Sequence, residues 1–152
     1  MSEIAPYSDE YFMKMALRQA EQAFDKDEVP VGAVIVCRNQ IVARAHNLTE
    51  TLNDPTAHAE MQAITSATST LGGKHLDECT MYVTLEPCIM CAGASYWSQV
   101  GKIVFGAYDQ KRGVGRISES ILHPKTTIVG GIMEAECGQL LKDFFIKKRN
   151  TN

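Results

Sequence analysis

Residues that suit metal chemistry fall in two short stretches of the chain. Cys88 and Cys91 stand three apart in PCIMC, so on a helix they share one face. The free N–H groups of a first helical turn lower thiol pKa and favour thiolate. His58, in DPTAHAE, adds an imidazole, and two cysteines with one histidine form a zinc set one ligand short of a closed tetrahedron. The fourth position of such a set holds water, whose pKa the metal lowers to about 7.

Glu60 stands two residues after His58 and is the predicted proton carrier. It does not share the face of His58 on a regular helix, so it is a poor ligand. Near a frayed helix start, its longer side chain reaches the space beside the metal. A carboxylate there takes a proton from water and delivers it to a leaving group. A solvated glutamate, a surface histidine and two buried cysteines are the plainer interpretations, but their joint occurrence favours the metal site.

The cysteine pair alone leaves other interpretations open, since C-x-x-C is also typical of redox pairs. A structural zinc site would need a fourth ligand, and Cys37, Cys79, Cys137 and His75 have no paired spacing that recommends them. The five cysteines are an odd number, and the N-terminus carries no secretory signal. Both facts predict a reducing, cytoplasmic setting. The sequence also contains no apolar run long enough to span a bilayer, so we expect no membrane association.

The elements that must position these residues alternate along one predicted domain, residues 1–152. Apolar periodicity, caps and turn residues predict helices over about 9–24, 54–70, 87–99 and 134–149, and strands over 29–37, 41–47, 80–86, 102–108 and 126–132. After the opening hairpin, the alternation predicts parallel strand pairs, right-handed crossovers and helices on both faces of the sheet. The polar stretch between the last two strands is expected to be a loop, with at most a short helix.

The two stretches together form H-x-E…P-C-x-x-C, the signature of zinc nucleobase deaminases. The segments around them resemble the bacterial tRNA-specific adenosine deaminases, the TadA family. The matching segments are EVPVGAV, NDPTAHAE, YVTLEPCIMCAGA, VFGAYD and DFFIKKR. The resemblance implies an α/β protein with the three-layer α/β/α cytidine deaminase-like fold and a central mixed sheet of about five strands. It also implies one Zn²⁺ per chain, a homodimer, and conversion of wobble adenosine to inosine in a tRNA anticodon stem-loop.

The same resemblance implies a set of substrate contacts. Val29, Pro30 and Val31 would line the nucleotide pocket, Asn47 would bind the flipped nucleotide, the backbone around Ala59 and Cys88 would read base edges, and Asp109 would lie beside the RNA backbone. Without the family, these residues are a strand entrance, a strand-end turn residue and a loop-starting aspartate.

Local basic clusters offset the net charge of −3, which creates no general attraction for nucleic acid. The clusters are Lys111, Arg112 and Arg116 after Asp109, and Lys147, Lys148 and Arg149 at the end of the last helix. They are candidates for phosphate contacts, which would make binding salt-dependent. A solvated loop and a helix end matched to its dipole account for them equally well.

Three functions therefore compete. The first is an RNA-editing deaminase, and the second is a guanine deaminase or another free-base or nucleoside deaminase with the same zinc chemistry. SYWSQ, at 95–99, resembles the Tyr-Trp of guanine deaminases, and the segment 113–124 does not map onto the tRNA family, whereas TLEPC and FGAYD fit the tRNA enzymes better. The third is a zinc-stabilised binding module without turnover, which would need a fourth protein ligand.

Overall fold

The structure is a computed structural model that describes residues 3–151. The helices are α1 (Asp9–Asp25), α2 (Ala59–Leu71), α3 (Ile89–Ser98) and α4 (Glu134–Asn150), and the strands are β1 (Gly32–Cys37), β2 (Gln40–His46), β3 (Cys79–Leu85), β4 (Lys102–Ala107) and β5 (Thr127–Val129). A short 3₁₀ helix covers Val114–Arg116. Within the described part of the chain, no helix is both long enough and apolar enough to cross a membrane.

The strands form one mixed sheet in the order β2-β1-β3-β4-β5. β1 is antiparallel to both β2 and β3, whereas β3, β4 and β5 run parallel. Parallel neighbours need a crossover connection, and α3 provides it between β3 and β4. The predicted mixed five-stranded sheet is confirmed, and its parallel pairs lie in the half that follows the hairpin.

Side chains that alternate along the central strands divide the core into two halves. Ile35, Met81 and Ile103 stand side by side in register and belong to the core half that α2 covers. Their neighbours Val34 and Tyr82 point to the other half, where α1 and α4 pack. This alternation buries both faces of the sheet, as parallel strands require, and it confirms the predicted three-layer α/β/α fold.

Helix α1 lies unusually close to β1. A Cβ on Gly32 would stand 2.1 Å from the carbonyl oxygen of Ala16 and 2.4 Å from the nitrogen of Ala20. At the start of the same helix, the Ser8 hydroxyl accepts the N–H of Tyr11 at 3.1 Å and caps the helix. The cap and the close contact together fix where α1 begins and how near the sheet it lies.

Three predicted boundaries near the motifs were wrong. The helix expected from 54–56 begins at Ala59, because Asp54 accepts the N–H of Thr56 at 2.9 Å and forms a turn instead. The strand expected from Val29 begins at Gly32, because the N–H of Val31 bonds to the carbonyl of Val29 at 2.8 Å and closes a tight turn. The helix expected from 87 begins at Ile89, with Cys88 as its N-cap.

Candidate metal centre

The predicted ligands lie where two helices begin. His58 is the N-cap of α2, and Cys88 is the N-cap of α3, both with extended backbones. Cys91 lies in the first turn of α3. Two helix N-termini therefore face one point, and their free N–H groups and dipoles favour negative charge there. This environment suits thiolates, as the sequence predicts.

The ligand atoms have the spacing of a tetrahedral zinc site. Nδ1 of His58 lies 3.7 Å from Sγ of Cys88 and 3.5 Å from Sγ of Cys91. Ordinary Zn–N and Zn–S bonds at a tetrahedral angle place the two atoms about 3.5 Å apart. All three ligand atoms lie within 4.8 Å of one another, and across residues 3–151 no fourth His, Cys, Asp or Glu joins the group. The residues fit an open zinc site rather than a closed one.

The electrostatics of the two thiols also call for a cation. The pKa of Cys88 is lowered to about 3, first by a hydrogen bond from Cys91 and then by one from His58. The pKa of Cys91 is raised, because that hydrogen bond and burial both favour its protonated form. Without a cation, one thiolate thus prevents the other from forming. A metal between the sulfurs allows both to ionise, and it displaces their protons on binding.

Glu60 lies beside the ligands in the first turn of α2 and is only 4% exposed. Burial raises its pKa to about 7, while its contact with the Cys91 thiol opposes that rise. The expected frayed helix start was wrong, because α2 is regular from Ala59. Glu60 instead reaches the site because His58 precedes the helix in an extended conformation, so helical spacing does not separate the two side chains.

Hydrogen bonds join three of the predicted substrate contacts. Oδ1 of Asn47 accepts the N–H of Ala59 at 2.8 Å, and the N–H of Asn47 bonds to the carbonyl of Val31 at 3.1 Å. Pro30 and Val31 are buried, and Val29 is half-buried. The entrance of β1, the end of β2 and the start of α2 therefore meet beside the metal ligands.

A cavity of about 530 Å³ opens over the ligands. Its lining residues are Pro55, His58, Cys88, Ile89, Met90, Lys111, Arg112, Gly113, Arg116 and Ile117. The basic residues Lys111, Arg112 and Arg116, which the sequence marks as candidate phosphate contacts, thus lie in one wall of the cavity over the metal centre. A nucleotide in this cavity would have its base near the ligands and its phosphates near three cations.

The remaining predicted contacts, Asp109, Lys147, Lys148 and Arg149, do not line this cavity. Asp109 acts within its own loop, where Oδ1 accepts the N–H groups of Lys111 and Arg112 at 3.0 Å each. At the end of α4, Lys148 pairs with Asp27, and Nζ of Lys147 lies 5.0 Å from the ring centre of Phe24. Lys148 shares a separate depression with Val29, and Arg149 is exposed.

Sequence reasoning missed two buried carboxylates that hold loops around the site. Glu28 is fully buried and accepts the N–H groups of Glu50 at 3.0 Å and Thr51 at 2.6 Å, which ties down the loop after β2. Glu86 is 6% exposed and accepts the N–H groups of Asp109 and Gly115, which ties down the loop after β4. The available signal was a glutamate directly beside an apolar strand, where a solvated side chain is not expected.

Comparisons with known proteins agree with this geometry. Residues 6–107 match the family model of the cytidine and deoxycytidylate deaminase zinc-binding region. The chain is 47% identical over 146 residues to the tRNA-specific adenosine deaminase of Bacillus subtilis, covering 93% of this chain and 91% of that protein. The enzyme of the same name from Aquifex aeolicus is also 47% identical over 146 residues, covering 93% and 96%. A solved structure from a study of A-to-I editing by tRNA:A34 deaminases at the wobble position superposes with a TM-score of 0.80 at 38% identity, covering 86% of this chain and 98% of that one.

Proposed function

This chain belongs to the cytidine and deoxycytidylate deaminase zinc-binding family, within it to the tRNA-specific adenosine deaminases, and from this premise we propose its reaction. It is a zinc-dependent hydrolase that deaminates adenosine to inosine at the wobble position of tRNA anticodons. The observation that carries the proposal is the open three-ligand set with a buried carboxylate beside it. A closed site would serve structure alone.

The chain's own residues account for the proton transfers. His58, Cys88 and Cys91 would hold the zinc ion, which would lower the pKa of a water molecule so that hydroxide is available at neutral pH. Glu60 would carry one proton of the water to the purine ring nitrogen and then a second proton, from the newly added hydroxyl, to the amine. A new C–O bond forms at C6, the C–N bond breaks, and ammonia leaves. Burial, which raises the pKa of the Glu60 carboxyl, suits a group that both accepts and gives a proton near neutral pH.

Recognition of the flipped base falls to the residues that the hydrogen bonds join. The oxygen of the Asn47 side chain is engaged by Ala59, which leaves its amide nitrogen as the donor toward a nucleotide. Val29, Pro30 and Val31 provide an apolar wall beside it. Lys111, Arg112 and Arg116 line the cavity with His58 and Cys88 and are placed to meet phosphates of the anticodon loop. Asp109 holds that loop, while Lys147, Lys148 and Arg149 are a second, more distant candidate contact for RNA.

We further propose that the chain acts as a single-domain cytoplasmic homodimer. Helix α3 exposes 79% of Trp97, and Tyr96 lies beside Trp97 with ring centres 5.5 Å apart. Aromatic residues are enriched in protein interfaces, and a second copy of the chain would cover these side chains. The helix also begins at the metal centre, so the second copy would stand close to the bound RNA.

A substrate panel tests the proposed reaction. The purified protein is incubated separately with an anticodon stem-loop that carries a wobble adenosine, with guanine and with cytidine. We expect inosine from the stem-loop and negligible xanthine or uridine. A stem-loop with guanosine at the wobble position is the matched control and should remain unchanged. Product from guanine or cytidine alone would replace the proposal with a free-base or nucleoside deaminase, and no product at all would favour a binding module.

A further inference from the structure

We propose that Glu86 is a positioning residue that holds the basic loop, residues 109–117, at a fixed distance from the metal centre. The inference rests on the proposed function, since the loop's cations then meet RNA phosphates while the base reaches the ligands. Glu86 itself touches neither the ligands nor the substrate in this assignment. It acts through the backbone of the loop.

The backbone position of Glu86 is set by the sheet and by the metal motif. It directly follows β3 and precedes Pro87 and Cys88. Its N–H bonds to the carbonyl of Ala107, the last residue of β4, at 2.8 Å. The backbone that carries this carboxylate is therefore fixed to the sheet, and two residues later the same segment carries the candidate ligand Cys88.

Each carboxylate oxygen of Glu86 accepts one N–H from the basic loop. Oε1 accepts the N–H of Asp109 at 3.0 Å, and Oε2 accepts the N–H of Gly115 at 2.7 Å. A third bond runs from the N–H of Val114 to the carbonyl of Pro87 at 2.8 Å. The beginning and the middle of the loop are thus both tied to the segment that carries Cys88.

Two glycines make room for this carboxylate. A Cβ on Gly113 would lie 2.2 Å from Oε1, and one on Gly115 would lie 2.8 Å from Oε2. Gly113 has φ −65° and ψ 148°, which other residues adopt freely, so it is space rather than backbone conformation that requires glycine. The loop folds around Glu86, and the side chain has little room to move.

The three cations depend on this arrangement for their position. Lys111, Arg112 and Arg116 are exposed on the same loop and line the cavity with His58 and Cys88. If the loop loosened, its cations would remain on the molecule but would no longer hold phosphates at the distance that places a base over the metal. Loss of Glu86 should therefore weaken productive RNA binding more than it slows the chemical step.

The substitution Glu86→Gln tests this, because glutamine keeps the size but has only one acceptor oxygen. Amide hydrogen exchange is measured in the zinc-loaded protein. We expect exchange at Asp109 and Gly115 to accelerate at least tenfold, with the sheet amides of Val83 and Val104 unchanged and zinc content equal to that of the wild type. On the stem-loop, KM should rise about tenfold while kcat changes less than threefold.

Two further variants separate positioning from a general structural role. Gly113→Ala should reproduce the faster exchange and the higher KM, because its Cβ displaces the same carboxylate. In an Arg112→Ala/Arg116→Ala background, where Lys111 is the one cation of the three that remains, Glu86→Gln should raise KM by much less than it does alone, since both changes act through the loop's cations. Glu78→Gln, at the opposite end of β3, is the matched control and should behave as the wild type.

Unchanged exchange at Asp109 and Gly115 in Glu86→Gln would overturn the inference. So would a KM effect that simply adds to that of the arginine variants, or an equal loss of kcat and of melting temperature, because each indicates a merely structural glutamate. Failure of the proposed function gives a different result: the wild type itself would produce no inosine. In that case exchange still decides whether Glu86 holds the loop.

Discussion

At the scale of single residues, the site separates metal binding from proton transfer. His58 and Cys88 lie directly before their helices, and Cys91 and Glu60 are buried in the first turns of α3 and α2. The Glu60 side chain is not among the ligand group in residues 3–151. Removing its acid–base function should therefore leave the metal in place.

Glu60→Gln is expected to lower kcat on the stem-loop by about 10²- to 10⁴-fold, the usual contribution of a positioned general acid–base group. Zinc content, measured by atomic absorption, should stay at that of the wild type. Cys88→Ser, which removes a ligand, is the contrasting variant and should lose zinc as well as activity. Wild-type turnover in Glu60→Gln would show that another group moves the proton.

The sequence predicted the ligands and Glu60 because their identities restrict the chemistry so strongly. The position of Glu86 and Glu28 beside apolar strands indicates burial, but the sequence could not predict their partners, which are backbone N–H groups more than twenty residues away in loops. Such bonds leave no periodic or compositional pattern. The family resemblance supplied Asn47, Val31 and Ala59, and the structure adds that the three are joined by hydrogen bonds.

At the scale of elements, the start of α2 depends on Asn47, the residue that directly follows β2. The Asn47 oxygen satisfies the N–H of Ala59 and so fixes the helix start directly after the ligand His58. The sequence predicted a helix here but placed its start three to five residues too early, because Asp54, Pro55 and Thr56 all suit a first turn. The distant asparagine decides the boundary.

Asn47→Asp and Asn47→Ala should separate the two roles of this side chain. Aspartate keeps the acceptor oxygen, so we expect stability and zinc content near those of the wild type, with kcat/KM lowered at least tenfold because the amide donor is gone. Alanine also leaves the Ala59 N–H unpaired, at a cost of about 1–3 kcal/mol. Thermal denaturation and stem-loop kinetics provide the readouts, and equal activity of the aspartate variant and the wild type would exclude a substrate contact through the amide nitrogen.

The close packing of α1 on β1 gives a second prediction at this scale. Gly32→Ala should lower the free energy of unfolding by about 2 kcal/mol or more. Its Cβ would clash with backbone atoms of Ala16 and Ala20, which can move away only if α1 shifts as a whole. Gly73→Ala, whose Cβ would meet nothing within 4 Å, is the control and should change stability by less than about 0.5 kcal/mol. Urea denaturation measures both. Equal midpoints for the two variants would mean that α1 shifts freely on the sheet.

At the scale of the whole molecule, the order of the sheet brings the two motifs together. The strand before the histidine motif and the strand before the cysteine motif both adjoin β1. Apolar runs and turn residues predicted the strands, and the alternation of helices and strands predicted helices on both faces. Neither predicted the order of strands, which depends on pairing between distant segments. The same limitation explains why the basic loop could be suspected from its charge but not assigned to the cavity wall.

The exposed surface of α3 leads to a prediction about assembly. Light scattering should give a mass of twice the 16.8 kDa of one chain. Trp97→Glu should shift the mass toward that of one chain, because a charge would lie in the contact. Phe145→Glu, also at an exposed aromatic residue but on α4, should remain dimeric. A single-chain mass for the wild type would rule out the dimer, and dissociation by the Phe145 variant alone would place the contact on α4.

The double duty of Asn47 also limits how this enzyme can be redesigned. In the proposed function its nitrogen faces the nucleotide while its oxygen supports a helix, so a change of base preference by substitutions that remove the oxygen would also weaken the scaffold. Ile89 and Met90 line the cavity over the metal ligands, and neither side chain is fully buried. Libraries aimed at other nucleobases should diversify those two positions first and leave the asparagine untouched.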